Sequence, residues 1–220
     1  MSYKIKKQRD FIDIFGKQGS GKSFLVKKYV IPTLAKGDKP IFVIDTTGEY
    51  TSQGKDVNYK TDQVFQNTLE MCQFLVENKG TPGPGIYVLA SRSNEDCQAF
   101  FEIINTAQIP CSVIVEEADK FCSSHNIDKN LGNLIDYGRH FDCDLVFLAR
   151  RAAKVHKDVT SQADCIVSFR QTELNDIKPL RKLWSDAEHL PELKDHHFLV
   201  MGDKQPKKLK TFKPGTSKKI

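Results

Sequence analysis

Seven short apolar runs, each bounded by turn residues, recur along the chain. They are FIDIFG (11–16), PIFVID (40–45), GIYVLAS (85–91), CSVIVEE (111–117), LVFLAR (145–150), DCIVSF (164–169) and HHFLVM (196–201). Most are rich in Val, Ile and Phe and run continuously apolar instead of alternating, the pattern of strands covered on both faces. Helical periodicity fills the gaps between them. KSFLVKKYVIPTLAKG (22–37) starts inside a glycine-rich loop and ends at Gly37, with Pro32 expected to kink it or to mark its last turn. TDQVFQNTLEMCQFLVENKG (61–80) opens on a Thr/Asp cap region and sets Val64, Leu69, Cys72, Leu75 and Val76 roughly on one face. SNEDCQAFFEIINTAQ (93–108) and NIDKNLGNLIDYGRHF (126–141) behave alike, and Trp184 is expected to anchor a further helix. Strands alternating with helices predict an α/β domain with a mostly parallel sheet and helices on both faces.

Composition narrows the class. A chain of 220 residues suits one large domain. Its 39% hydrophobic and 28% charged residues are ordinary for a globular protein. No apolar run approaches the ~18 residues of a membrane span. The basic start MSYKIKKQRD is not followed by the apolar segment of a secretory signal. Six cysteines lack the C-x-x-C spacing of a zinc site and read as free thiols of a reducing, cytoplasmic compartment. Charge is uneven: the last 20 residues hold seven lysines against Asp203, a net +6, so the first 200 stand at about −1 of the chain's +5. The expected organisation is therefore a domain over 1–203 and a basic tail over 204–220, either a solubilising segment or an arm for a polyanion.

The most specific chemistry lies in GKQGSGKS, Gly16 to Ser23, which fits G-x-x-x-x-G-K-[ST] with a strand before it and a helix after it. Gly16, Gly19 and Gly21 let the backbone curl so that successive N–H groups, from Lys17, Gln18 and Ser20 onward into Phe24, face one concavity. The helix N-terminus adds partial positive charge. Lys22 reaches the β- and γ-phosphates of ATP, and the Ser23 hydroxyl suits Mg2+, a hard cation that takes oxygen ligands. A second element, CSVIVEEADKF, ends a buried strand in two carboxylates. Glu116 is assigned to Mg2+, through water, and Glu117 to polarising the attacking water. Acids capping a following helix are the alternative. Asp45 and Glu49 either help position Mg2+ and link subunits or build a strand-end turn. Arg92, Lys154, His156 and Lys157 read as solvated loop residues singly, although the last three could meet DNA phosphates. His196 and His197 read as structural.

Four segments now stand in order: GKQGSGKS, VIDTTGEY (43–50), VIVEEADKF (113–121) and YGRHFDCDLVFLARRAAKVHKDVTSQADCIVSFR (137–170). Over about residues 10–172 this set resembles the HerA/FtsK superfamily of P-loop DNA-pumping ATPases. With so little beyond the core, the chain looks most like the genome-packaging ATPases of tailless, internal-membrane double-stranded DNA viruses. The resemblance implies a RecA-like (ASCE) core in which LVFLA is inserted between the P-loop strand and the acidic strand. It places Arg150 beside the γ-phosphate, where the family commonly carries glutamine, so this chain departs from the ordinary polar sensor. It casts Arg139, of the Gly-Arg element, as an arginine finger supplied to a neighbouring subunit; a cation closing a helix is the alternative. Arg151 reads as an interface or acid-pairing residue. The implied partners are double-stranded DNA, other copies in a hexameric or pentameric ring, and capsid or portal proteins, placing the protein in the host cytoplasm and at the packaging vertex of the virion. A cellular or plasmid HerA-type translocase, a non-translocating assembly ATPase and a nucleotide kinase are the alternatives.

Overall fold

A computed structural model describes residues 9–51 and 59–202. The basic tail lies outside the described residues. All seven apolar runs form strands, and they assemble into one sheet of eight in the order β10-β9-β1-β8-β5-β2-β4-β3. The strands are β1 (Phe11–Phe15), β2 (Ile41–Ile44), β3 (Gln63–Phe65), β4 (Ile86–Leu89), β5 (Ser112–Val115), β8 (Asp144–Ala149), β9 (Cys165–Phe169) and β10 (Phe198–Met201), with β6 (Cys122–Ser123) and β7 (Asn126–Ile127) paired separately. Only β10 runs antiparallel, pairing Phe198 with Phe169 and Met201 with Ile166. Every other pairing in the sheet is parallel. The strand LVFLA, in β8, does lie between β1 and β5, with Val146 opposite both Ile12 and Ile114. This is the RecA-like α/β arrangement that the sequence leads one to expect.

Both faces are covered, unequally. Ile14, Val43, Ile114 and Val146 pack on the single helical segment after β1, through Leu25, Val26 and Ile31. Phe11, Phe15, Val113 and Phe147 face the larger layer. That layer holds α3 (Thr68–Glu77), α4 (Asn94–Ala107), α5 (Lys129–Tyr137), α6 (Lys157–Gln162) and α7 (Leu174–Leu183). Continuous apolar strands are the direct result of burial on two sides.

Two expected helices differ in detail. The first runs as α1 (Lys22–Leu25), a π-helical stretch Val26–Val30 and α2 (Ile31–Leu34). Ile31 N–H donates to the Val26 carbonyl, a wider i→i−5 bond immediately before Pro32. Pro32 has no N–H to give, and the π turn absorbs the disruption without ending the helix. The segment 61–80 is not one helix. Gln63–Phe65 forms an edge strand beside β4, and α3 begins only after Asn67. Asn67 accepts from Glu70 N–H at 3.0 Å, while Glu70 accepts from Gln66 N–H at 2.7 Å. That reciprocal cap is stronger than anything Thr61 and Asp62 offer; Asp62 instead accepts from Ile86 N–H at 2.8 Å. The expected apolar face shifts accordingly: Met71 and Leu75 are buried, whereas Leu69 and Val76 point to solvent. Likewise the Gly-Arg element is not the end of α5 but a separate 3-10 turn, Gly138–Phe141. The end of α5 before it is held by Arg9, whose guanidinium donates to the Leu134 and Ile135 carbonyls at 3.1 and 2.6 Å.

Candidate functional site

The loop after β1 turns twice through left-handed backbone, at Gly19 (φ 74°) and Gly21 (φ 104°), which only glycine adopts freely. Gly16 answers a different need: a Cβ there would lie 2.5 Å from Ser20 Oγ and 2.9 Å from Phe169 Cβ. The Lys22 ammonium lies across the loop and donates to the Gly16 carbonyl at 2.7 Å and the Lys17 carbonyl at 3.2 Å. Burial lowers its pKa, opposed by the Glu116 carboxylate. Lys17 reaches Thr172 Oγ1 at 3.2 Å, Gln18 is exposed, and the Phe24 ring lies partly open with the Lys28 ammonium 5.2 Å from its centroid.

A cavity of about 440 Å³ opens beside this loop, lined by Lys22, Ser23, Glu49, Glu116, Glu117 and Arg150 among others. Residues from four separate segments thus converge, because β1, β5 and β8 are neighbours and present the same C-terminal edge. Glu116 is buried at the end of β5 and accepts from the Tyr50 hydroxyl at 2.6 Å. Burial raises its pKa, and the hydrogen bonds from Tyr50 and Ser23 oppose the rise. Ser23 and Glu116 are therefore in contact, an all-oxygen pair of the kind Mg2+ prefers. Glu117 turns the other way, in left-handed backbone (φ 49°). Its carboxylate is held by Arg150, by Lys120 at 2.5 Å and by Thr46 Oγ1 at 2.9 Å. Partial burial pushes its pKa up, but the hydrogen bonds from Lys120, Arg150 and Thr46 prevail and hold it at about 2.

The turn alternative is right for Asp45. Its two oxygens accept from the backbone N–H groups of Thr47, Gly48, Glu49 and Tyr50, at 2.7–3.2 Å. That winds residues 45–50 into the shape that delivers Tyr50 to Glu116. Glu49 lines the cavity and meets Lys27 at 3.4 Å. Arg151 pairs with Asp176, Nε to Oδ2 at 2.9 Å, and so stays out of the site. Arg139 is exposed in the turn preceding β8, at the opposite sheet edge from Arg150. Six strand residues of about 3.3 Å each separate the two edges, so Arg139 lies out of reach of this chain's own cavity.

On the other side of the loop lies an apolar cavity of about 220 Å³, lined by Phe24, Tyr29, Phe169, His196 and Phe198 together with Ser20 and Gly21. His196, in left-handed backbone just before β10, places Nδ1 3.2 Å from the Ser20 carbonyl.

Residues 12–81 match the family model described as the central domain of helicase HerA. The genome packaging NTPase B204 from Sulfolobus turreted icosahedral virus 2, solved with AMPPCP, superposes with a TM-score of 0.67 at 22% identity, over 87% of this chain and 91% of that one. The fold is the RecA-like P-loop fold of that NTPase. The DNA-packaging ATPase B204 from Sulfolobus turreted icosahedral virus gives 0.66 at 21% identity over 87% and 91% of the two chains. VirB4 of Thermoanaerobacter pseudethanolicus gives 0.61 at 11% identity over 89% and 87%. No curated protein sequence matches the chain.

Within this P-loop frame, several contributors escape sequence reasoning: Thr46, Tyr50, Lys120, Phe169 and His196. Tyr50 had a signal, since an acid followed by a Gly-Glu-Tyr turn returns the ring toward the strand end. His196 had none, because nothing in the local pattern tells that β10 folds back beside the first loop.

Proposed function

We propose that the chain is a Mg2+-dependent ATPase that moves double-stranded DNA, acting as a viral genome-packaging motor. The observation that carries this is the convergence of Lys22, Ser23, Glu116, Glu117 and Arg150 on one cavity at the P-loop mouth. The structural likeness to the genome packaging NTPase B204 and the DNA-packaging ATPase B204, over 87% of this chain in each case, supports packaging.

In this reading the loop N–H groups and Lys22 bind the β- and γ-phosphates. Ser23, and Glu116 through water, would hold Mg2+, which would supply charge neutralisation at the phosphates. Glu117 orients the attacking water and accepts its proton, and Arg150 faces the γ-phosphate. Arg139 serves the site of the adjacent copy in a ring of five or six. The basic tail, residues 204–220, adds an arm for DNA, and capsid or portal proteins anchor the ring at the packaging vertex from the host cytoplasm.

The test is ATP turnover with and without double-stranded DNA. The wild type should hydrolyse ATP faster with DNA, and Lys22→Ala should abolish both rates. Turnover surviving that change would remove the P-loop assignment. Turnover indifferent to DNA would favour an assembly ATPase, and phosphate transfer to a nucleoside monophosphate would favour a kinase.

A further inference from the structure

Lys154, His156 and Lys157, taken singly, look like solvated loop residues. The fold changes their setting by bringing α7 alongside. A groove of about 1180 Å³ runs between the turn after β8, α6 and α7. Its cationic and imidazole groups are His125, His156, Lys157, Lys178, Arg181 and Lys182, drawn from segments more than 50 residues apart. None of the described residues that line it is acidic. Lys157, Lys178 and Lys182 have no carboxylate within 4 Å among the described residues. The nearby acids are engaged at the rim: Glu188 with Arg181 at 3.4 Å, and Asp158 with His156 at 3.5 Å. A concave surface lined by several cations and no anion is costly to leave bare, because like charges repel.

The groove is also tied to the nucleotide cavity. Asp176, in the first turn of α7, is 1% exposed. It accepts from Arg151 Nε at 2.9 Å and from Ala153 N–H at 3.1 Å. Arg150 faces the phosphates and the next residue holds the groove wall, so the two sites share one rigid corner.

We infer that this groove is the seat of the DNA backbone: Lys157, Lys178, Arg181 and Lys182 hold successive phosphates of one strand without reading bases. The inference rests on the DNA-translocase reading and locates the DNA within it. Phosphate contacts of this kind give binding that is indifferent to sequence and falls linearly with log salt, by about 0.9 per phosphate neutralised on duplex DNA.

The experiment measures duplex affinity across a salt series for the full chain, for Lys178→Ala/Lys182→Ala, and for Lys36→Ala/Lys79→Ala as exposed lysines outside the groove. Melting temperatures confirm that all three fold alike. The groove pair should bind more weakly at low salt, with its log–log slope reduced by about two units, one per lysine, and the control pair should match wild type. If wild type binds DNA and the groove pair keeps its slope, the groove is overturned while the translocase reading stands. If wild type binds no DNA, both fall. If polyglutamate, not DNA, competes for the groove lysines, the occupant is an acidic protein surface and the DNA assignment is overturned.

Discussion

Glu117 cannot work as a proton acceptor in the arrangement described here, because a base tuned to a pKa of about 2 has little affinity for a proton near neutrality. Against partial burial, Lys120 first, then Arg150 and Thr46, hold it there, and of these Arg150 is the one that the proposed function sets beside the γ-phosphate. A phosphate that drew Arg150 away would remove one of the three restraints and raise the Glu117 pKa, coupling nucleotide arrival to a better base. Arg150→Ala should lower kcat by about tenfold or more, with ATP affinity changed far less. Losing a cation raises the Glu117 pKa, so the acid limb of the pH–rate profile should move to higher pH. An unchanged kcat would disprove this role for Arg150 without touching the fold. A second residue-scale consequence concerns Asp13, in the middle of β1. It is 0% exposed, and neither carboxylate oxygen has a partner among the described residues. Burial raises its pKa well above the ordinary value, so the folded state carries it neutral. The unfolded chain ionises it above about pH 3.9 while the folded chain does not, and folding stability is lost as pH rises, by up to about 1.4 kcal/mol per unit. Asp13→Asn keeps the shape and removes that titration. Urea unfolding between pH 4 and 7 should therefore show a flatter decline for the variant than for wild type.

At the scale of elements, the strands were legible because burial on both faces leaves no alternation to confuse with a helix. The P-loop was legible because its spacing encodes backbone geometry. Boundaries failed where a short strand abutted a helix: Gln63–Phe65 is three residues long and too brief to show a period. Long-range pairs failed as well. Nothing near Arg151 in the sequence points to Asp176, and nothing near Ser20 points to His196; both contacts depend on where β9, β10 and α7 return. The element with most consequence is β10. With Phe169 it walls an apolar cavity next to Ser20 and Gly21, on the side of the loop away from Glu117, where a nucleotide base would extend. That cavity offers stacking surfaces but few hydrogen-bond partners, and a site without buried polar groups discriminates weakly. Values of kcat/KM for ATP and GTP should lie within about tenfold of each other. A preference of several hundredfold would mean that the base sits elsewhere.

Across the whole molecule, the sheet has two ends with different work. Its C-terminal edge gathers Lys22, Glu116, Glu117 and Arg150, and its N-terminal edge carries Arg139 on the turn after α5, whose last carbonyls accept from Arg9. In the proposed ring, an arginine this far from its own site would act on another copy. Co-assembling Lys22→Ala with Arg139→Ala should therefore restore ATPase activity that neither variant shows alone, since some interfaces then combine an intact loop with an intact arginine. Absence of rescue, with mixed rings demonstrated, would leave Arg139 as a solvated cation of the turn after α5.

The central position of β1 has a further effect during synthesis. The P-loop strand leaves the ribosome first, yet its two neighbours begin only at Asp144 and Cys165. At roughly 5–20 residues per second, translation needs on the order of ten seconds after β1 before either is made. Through that interval the nascent chain carries the complete loop motif with neither neighbouring strand to hold it. The motif is thus written early and set into its sheet late.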